Sequence, residues 1–135
     1  MSVETKNRYI EAVGRRKTAI ARVRITPSAK ASFLVNEKDM KEYFVTEELQ
    51  MIAQEAVTKS EVGEKFTITV HVLGGGIHAQ AEAVRHGLSR TLVERDENIK
   101  NTLKKLGFLK RDSRQVERKK FGLKKARKAP TWSKR

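Results

Sequence analysis

The stretch FTITVHVLGGGIHAQAEAVRHGLSRTL, residues 66–92, changes its apolar period partway along, and the change decides the fold class. In its first part Phe66, Ile68, Val70 and Val72 recur at every second position, which places them on one face of a β-strand. After three glycines, Ile77, Ala81, Val84, Leu88 and Leu92 recur at steps of four and three, the stripe of an amphipathic α-helix. A one-sided strand turning into a one-sided helix predicts an α/β (α+β) body in which helices fold back on a mixed sheet.

Working outward, TAIARVRI (residues 18–25) also alternates, with Ala19, Ala21, Val23 and Ile25 on one side and Ile20, Arg22 and Arg24 on the other. It reads as a strand with a small-to-aliphatic inner face and a basic outer face. TPSAKA breaks it, and SFLVN (32–36) reads as a second strand, expected as an antiparallel neighbour because the connection is short. Asp39 with Glu42 marks a short capped helix through MKEYF, and Thr46 is placed to cap the next. There Leu49, Ile52, Ala53, Ala56 and Val57 form a stripe, with Glu47 and Glu48 at the end of the helix that favours negative charge. Downstream, ENIKNTLKKLGF (97–108) predicts a further helix with Ile99, Leu103 and Leu106 docked and Gly107 as its stop. Beyond Phe108 apolar residues are too sparse for a core. The expected organisation is a globular body over 1–108 and an extended basic tail over 109–135.

Charge divides the chain at the same place. Residues 1–99 hold 15 Lys and Arg against 14 Asp and Glu, whereas residues 100–135 hold 15 against 2. A near-neutral body can fold conventionally while a cationic extension releases counterions from phosphates. The tail lacks the regular apolar face that an amphipathic membrane helix needs, so nucleic acid is the expected partner and a membrane is not. The chain has no cysteine, hence no disulfide scaffold and no Cys-based zinc site, and suits a reducing cytosol. MSVETKNRYIEAV offers no signal-peptide run, and no segment approaches the roughly 20 apolar residues of a membrane span. The expected location is cytoplasmic.

GRRKTA places Arg15, Arg16 and Lys17 on a loop where Gly14 lets the backbone bend, and Arg22 and Arg24 continue the cations along one strand face. This forms a phosphate-contacting stripe, against the plainer reading of a solvated edge strand guarded by charge. Gly74, Gly75 and Gly76 invite a phosphate-loop reading, but the Lys and Ser/Thr of G-x-x-x-x-G-K-[ST] are missing and GGGIHA departs from G-x-G-x-x-G at its last Gly. A turn that lets the helix fold back or an RNA backbone approach is favoured. His78, Glu82 and His86 share a helix face, yet the two histidines are separated by roughly 12 Å of helical rise, so a metal site is not expected. No catalytic constellation and no cofactor site emerges, and the chain is not read as an enzyme. In the tail, RQVERKK, GLKKARK and APTWSKR offer guanidinium forks, point charges and, at Trp132, a ring that can stack on a base. The plainer reading is a disordered solubilising tail.

GRRKTAIARV, GGGIHAQAEAVRHGLSR, RDSRQVERKKFGLKKARKAP and the closing SKR together resemble, in order and at nearly full length, the bacterial form of the ninth protein of the small ribosomal subunit. The resemblance implies a two-layer sandwich like the second domain of the fifth small-subunit protein, seated in the subunit head beside other head proteins. It implies ribosomal-RNA contacts at Arg15, Arg16 and Lys17, around Gly74 to Gly76, and along the tail at Arg111, Arg114, Arg118, Lys119, Lys120, Lys124, Lys125, Arg127 and Lys128. It further implies that Ser133, Lys134 and Arg135 end near the P-site transfer RNA. Two competing readings differ in what they bind. A histone-like compactor would take duplex DNA as well as RNA, and a small phosphate-binding enzyme would bind a nucleotide stoichiometrically without RNA.

Overall fold

The computed structural model describes residues 9–133. Strands β1 (Ile10–Arg16), β2 (Ala19–Pro27), β3 (Ser32–Val35), β4 (Lys38–Asp39) and β5 (Phe66–Leu73) form one mixed sheet in the order β1-β2-β5-β3-β4. Helices α1 (Met40–Tyr43), α2 (Glu47–Ser60), α3 (Ile77–Arg95) and α4 (Lys100–Leu106), with a 3-10 turn at Glu97–Ile99, complete an α+β fold. Helix α3 lies across β1 and β2, α2 packs beside α3, and α4 reaches α2. The opposite face of the sheet carries no helix among the described residues.

The alternation read from the sequence corresponds to this one-sided cover. Ala19, Ala21, Val23 and Ile25 of β2 are fully buried, as are Val70 and Val72 of β5 to within 1 %, while Ile20, Arg22, His71 and Leu73 face outward. On α2, Leu49, Ala53 and Ala56 are buried and Ile52 and Val57 half-buried. The Asp39 carboxylate accepts from the Lys41 N–H at 3.0 Å and caps α1 as expected, whereas Thr46 holds the cap position of α2 without a side-chain bond.

Four expectations are corrected. Arg15 and Arg16 belong to a strand, not a loop: β1 pairs antiparallel with β2 from Ile10 opposite Ile25 to Arg16 opposite Ala19, and the turn is Lys17-Thr18. Gly14 does not bend the chain; it lets α3 lie directly on β1. A Cβ at Gly14 would overlap the Ala83 carbonyl and the Gly87 amide, and one at Gly87 would reach within 2.9 Å of the Gly14 amide. Strand β3 is not a neighbour of β2, because β1 and β5 occupy both of its edges. Instead β3 pairs parallel with β5, from Ser32 opposite Thr67 to Val35 opposite Val70, through the α1–α2 crossover that a parallel pair requires. Ile77 is 47 % and Leu106 43 % exposed, so neither joins the core. At the end of α4, Gly107 adopts φ 79°, the chain turns back, and Phe108 is buried in place of Leu106, its N–H bonded to the Leu103 carbonyl.

Candidate nucleic-acid interface

Two of the glycine and cation clusters meet at one end of the sheet. Lys17 adopts φ 54° at the β1–β2 turn, and Gly74 and Gly75 adopt φ 76° and 63° between β5 and α3. A Cβ on Gly74 would come within 2.8 Å of the Thr18 carbonyl oxygen, so the two turns lie against each other. The glycines are needed both for their left-handed backbone and for that approach. Lys17 is exposed in the turn that lies against Gly74, next to the start of α3, whose cap residue Gly76 leaves the first helical N–H groups without a side-chain partner. Cations next to a helix N-terminus concentrate positive potential at this edge.

Across the open face, Arg22 and Arg24 share one carboxylate: their Nε atoms reach Glu11 at 2.9 and 3.3 Å. The hydrogen bond from Arg22 is the largest cause holding the Glu11 carboxyl below its ordinary value. Arg24 also lies over the Tyr9 ring, 4.5 Å from its centre. The stripe is therefore partly neutralised from within, by an acid that the sequence reading did not single out. Ile20 and Leu73 stand opposite each other on the same face, both exposed.

Strand alternation sends Arg16 the other way, toward α3. Its Nε donates to Glu82 at 2.6 Å, its Nη1 to the Arg114 carbonyl at 2.5 Å, and its Nη2 lies 3.6 Å from Asp112. Asp112 in turn accepts from the Arg114 backbone N–H and from its guanidinium, the latter contact holding its carboxyl far below the usual range. The segment before this network is docked too. Phe108 is buried with the Arg85 guanidinium 4.9 Å above its ring, and Arg85 pairs with Glu55 on α2 at 2.9 Å. His86 accepts from the Arg15 N–H at 3.2 Å, and burial lowers its proton affinity, with Arg90 and Arg111 nearby acting in the same direction. A cleft of about 110 Å³ between β1, α3 and this returning segment is lined by Arg15, Arg16, Glu82, Arg85, His86, Lys110 and Asp112.

From residue 115 to residue 133 no helix or strand forms. Glu117 pairs with Lys120 and, at 2.7 Å, with Arg127, and these two contacts hold its carboxyl below the ordinary value. Two backbone turns lie between them: the Leu123 N–H bonds the Lys120 carbonyl at 3.2 Å and the Lys124 N–H the Lys128 carbonyl at 2.8 Å. Arg111, Arg118, Lys119, Lys124, Lys125, Lys128 and Trp132 are exposed. Ser133 is the last described residue, and Lys134 and Arg135 lie outside the described residues.

The structure thus joins Lys17 to the glycine turn, and the register puts Arg15 on the open sheet face that also carries Arg22 and Arg24. It places most tail cations beyond both. Of the two acids that decide where Arg16 points, Asp112 escaped the sequence reading, and Glu82 was weighed there only as a metal ligand beside His78 and His86. Asp112 and Glu117 are the only acids after residue 99, and that isolation was the available signal. Among the described residues no three His, Asp or Glu side chains gather to hold a metal ion, and no helix is long and apolar enough to cross a membrane. His78 and His86 diverge, His78 lying 3.8 Å from Glu82 while His86 faces β1.

A cationic turn, a partly neutralised basic sheet face and a charge-rich tail fit a phosphate backbone rather than a small substrate. The family model described as Ribosomal protein S9/S16 matches residues 14–135, from the close-packed Gly14 to the final arginine. The chain therefore belongs to the ribosomal protein S9/S16 family, structural components of the small ribosomal subunit.

Proposed function

We propose that this protein binds ribosomal RNA in the head of the small subunit and extends its tail to the P-site transfer RNA. The observation that carries the reading is the separation of core from charge. The buried apolar residues end at Phe108, while residues 100–135 hold 15 cations against 2 acids. Under this reading the body over 1–108, built like the second domain of the fifth small-subunit protein, is the anchor. The tail over 109–135 is the RNA-following element, tied down over its first residues by Arg16.

The ribosomal-RNA contacts sort into three groups. Arg15, Lys17 and the turn Gly74 to Gly76 offer point charge, a guanidinium and accessible backbone N–H groups to a phosphate. Arg22 and Arg24 hold one net positive charge among three groups and contribute less. The exposed cations Arg111, Arg118, Lys119, Lys124, Lys125 and Lys128, with Arg114, Lys120 and Arg127 released from their carboxylates, provide the largest share. Ser133, Lys134 and Arg135 then meet transfer-RNA phosphates, with Trp132 placed to stack. The decisive test is rebuilding small subunits with the full chain or with a chain ending at Lys110, followed by a high-salt wash. The full chain co-sediments with the subunit and slows P-site transfer-RNA release; equal release from both subunits would refute the tail's role.

A further inference from the structure

Arg15 and Arg16 are adjacent cations of the same type, yet the pleat of β1 gives them opposite surroundings. Arg15 points to solvent, whereas only 12 % of the Arg16 side chain is exposed. Two of its nitrogens donate, to Glu82 on α3 and to the backbone carbonyl of Arg114, and the third lies 3.6 Å from the carboxylate of Asp112. We infer that Arg16 is a positioning residue, a clamp that fixes where the cationic tail leaves the body, and not a contact for nucleic acid.

The chemistry of the fork supports this. A guanidinium is planar and always charged, and it can serve a carboxylate on one edge and a carbonyl on another; an ammonium is a point charge and cannot bridge all three. The carbonyl matters most, because a bond to main chain fixes backbone position rather than a side-chain rotamer. The surroundings leave no easy alternative. Without Arg16, Asp112 would keep only its own neighbour Arg114, two residues away, and both the Glu82 carboxylate on α3 and the Arg114 carbonyl would lose the donor that links them, so nothing would tie this part of the tail to α3. A phosphate that recruited Arg16 would create the same vacancy, so engaging RNA would undo the tail's own attachment. Docking by Phe108 holds the chain only up to the start of the tail; Arg16 extends the hold to Arg114. From Arg114 an extended chain could sweep roughly 60 Å to residue 133, at about 3.3 Å per residue, so a small change of direction at its root moves the tip far.

The effect on RNA binding rests on the function proposed above, but the clamp itself is tested without RNA. The chain contains no cysteine, so Thr58→Cys on α2 with Gln115→Cys gives two unique attachment points for spin labels. Pulsed electron resonance on the full-length chain should give a narrow distance distribution. Arg16→Gln, Arg16→Lys and Glu82→Gln should each broaden it, with cooperative thermal unfolding retained. A broad distribution in the parent, or a narrow one in Arg16→Gln, overturns the clamp.

Total small-subunit ribosomal RNA then supplies an independent arm. Arg16→Gln should weaken binding on the order of tenfold through lost preorganisation, leaving the salt slope unchanged. Glu82→Gln should also weaken it, although it makes the protein more positive by one charge. If Arg16→Gln instead flattens the log-log salt slope by about 0.7 to 0.9 and Arg16→Lys restores it, Arg16 is a phosphate contact and the inference fails. Should the parent chain bind no RNA, the proposed function falls and the distance measurement alone decides the clamp.

Discussion

The body and the tail of this protein are held in shape by different forces, and the difference separates folding from recognition. In the body, fully buried Ala, Val, Ile and Leu side chains fill the space between sheet and helices, and the close packing of Gly14 on Gly87 brings α3 down onto β1. In the tail beyond Arg114, shape comes from exposed pairs such as Glu117 with Arg127 and from two isolated backbone turns. Exposed ion pairs are worth about 0–1 kcal/mol each and weaken in salt, while apolar burial does not depend on screening. The body is accordingly insensitive to the ionic conditions that govern the tail, and the tail can exchange its internal carboxylates for phosphates without disturbing the core.

The contrast can be broken most violently in the body. Gly14→Val should abolish cooperative folding or cost more than about 3 kcal/mol, because the new side chain meets backbone atoms that cannot yield. Denaturant unfolding measures it, and a loss below 1 kcal/mol, on the order of an ordinary surface change, would mean that β1 and α3 are not in close contact. Leu103→Ala comes next, at about 2–5 kcal/mol, since Leu103 is fully buried and fixes α4. An effect that small substitutions on the surface also produce would detach α4 from the core.

A pH dependence sharpens the comparison within the body. His86 binds its proton less readily in the folded chain, chiefly because burial disfavours the imidazolium. The unfolded chain takes up the proton first, so stability is fully present above the unfolded value of about 6.5 and falls as pH drops through it toward the folded value. The melting temperature should decline from about pH 7.5 to about pH 5.5, and His86→Gln, which retains an acceptor for the Arg15 N–H, should flatten that decline. An identical decline in the variant would remove His86 from the account. The smallest effect belongs to the tip: deleting Ser133 to Arg135 should change stability by less than about 0.5 kcal/mol while modestly accelerating P-site transfer-RNA release.

Where the sequence alone sufficed, a single periodicity dominated. Phe66 to Val72 and Ala19 to Ile25 alternate cleanly because one face of the sheet is covered and the other open. The stripes on α2 and α3 emerge for the same reason. Residues 10–16 hid their strand because Gly14, at its centre, resembles a breaker; its requirement for space comes from Gly87, far along the chain, which no local pattern reveals. The order of the sheet was hidden likewise, since a short link between β2 and β3 favours adjacency until β5 claims the intervening edge. Cations were visible as cations, but their commitments were not. Arg16 and the Arg114 carbonyl are separated by 98 positions, and only folding shows that the second of two adjacent arginines turns inward.

The central claim, that the body folds while the tail supplies the electrostatic hold on RNA, is tested most directly by salt dependence. Binding of small-subunit ribosomal RNA is measured over a range of salt for the full chain and for a chain ending at Lys110. The full chain should show a steep log-log slope of about −0.7 for each single-strand phosphate neutralised. The shortened chain should unfold as cooperatively as the full one but lose most of that slope. A shortened chain that keeps the full slope would place the RNA contacts on the body and contradict the account.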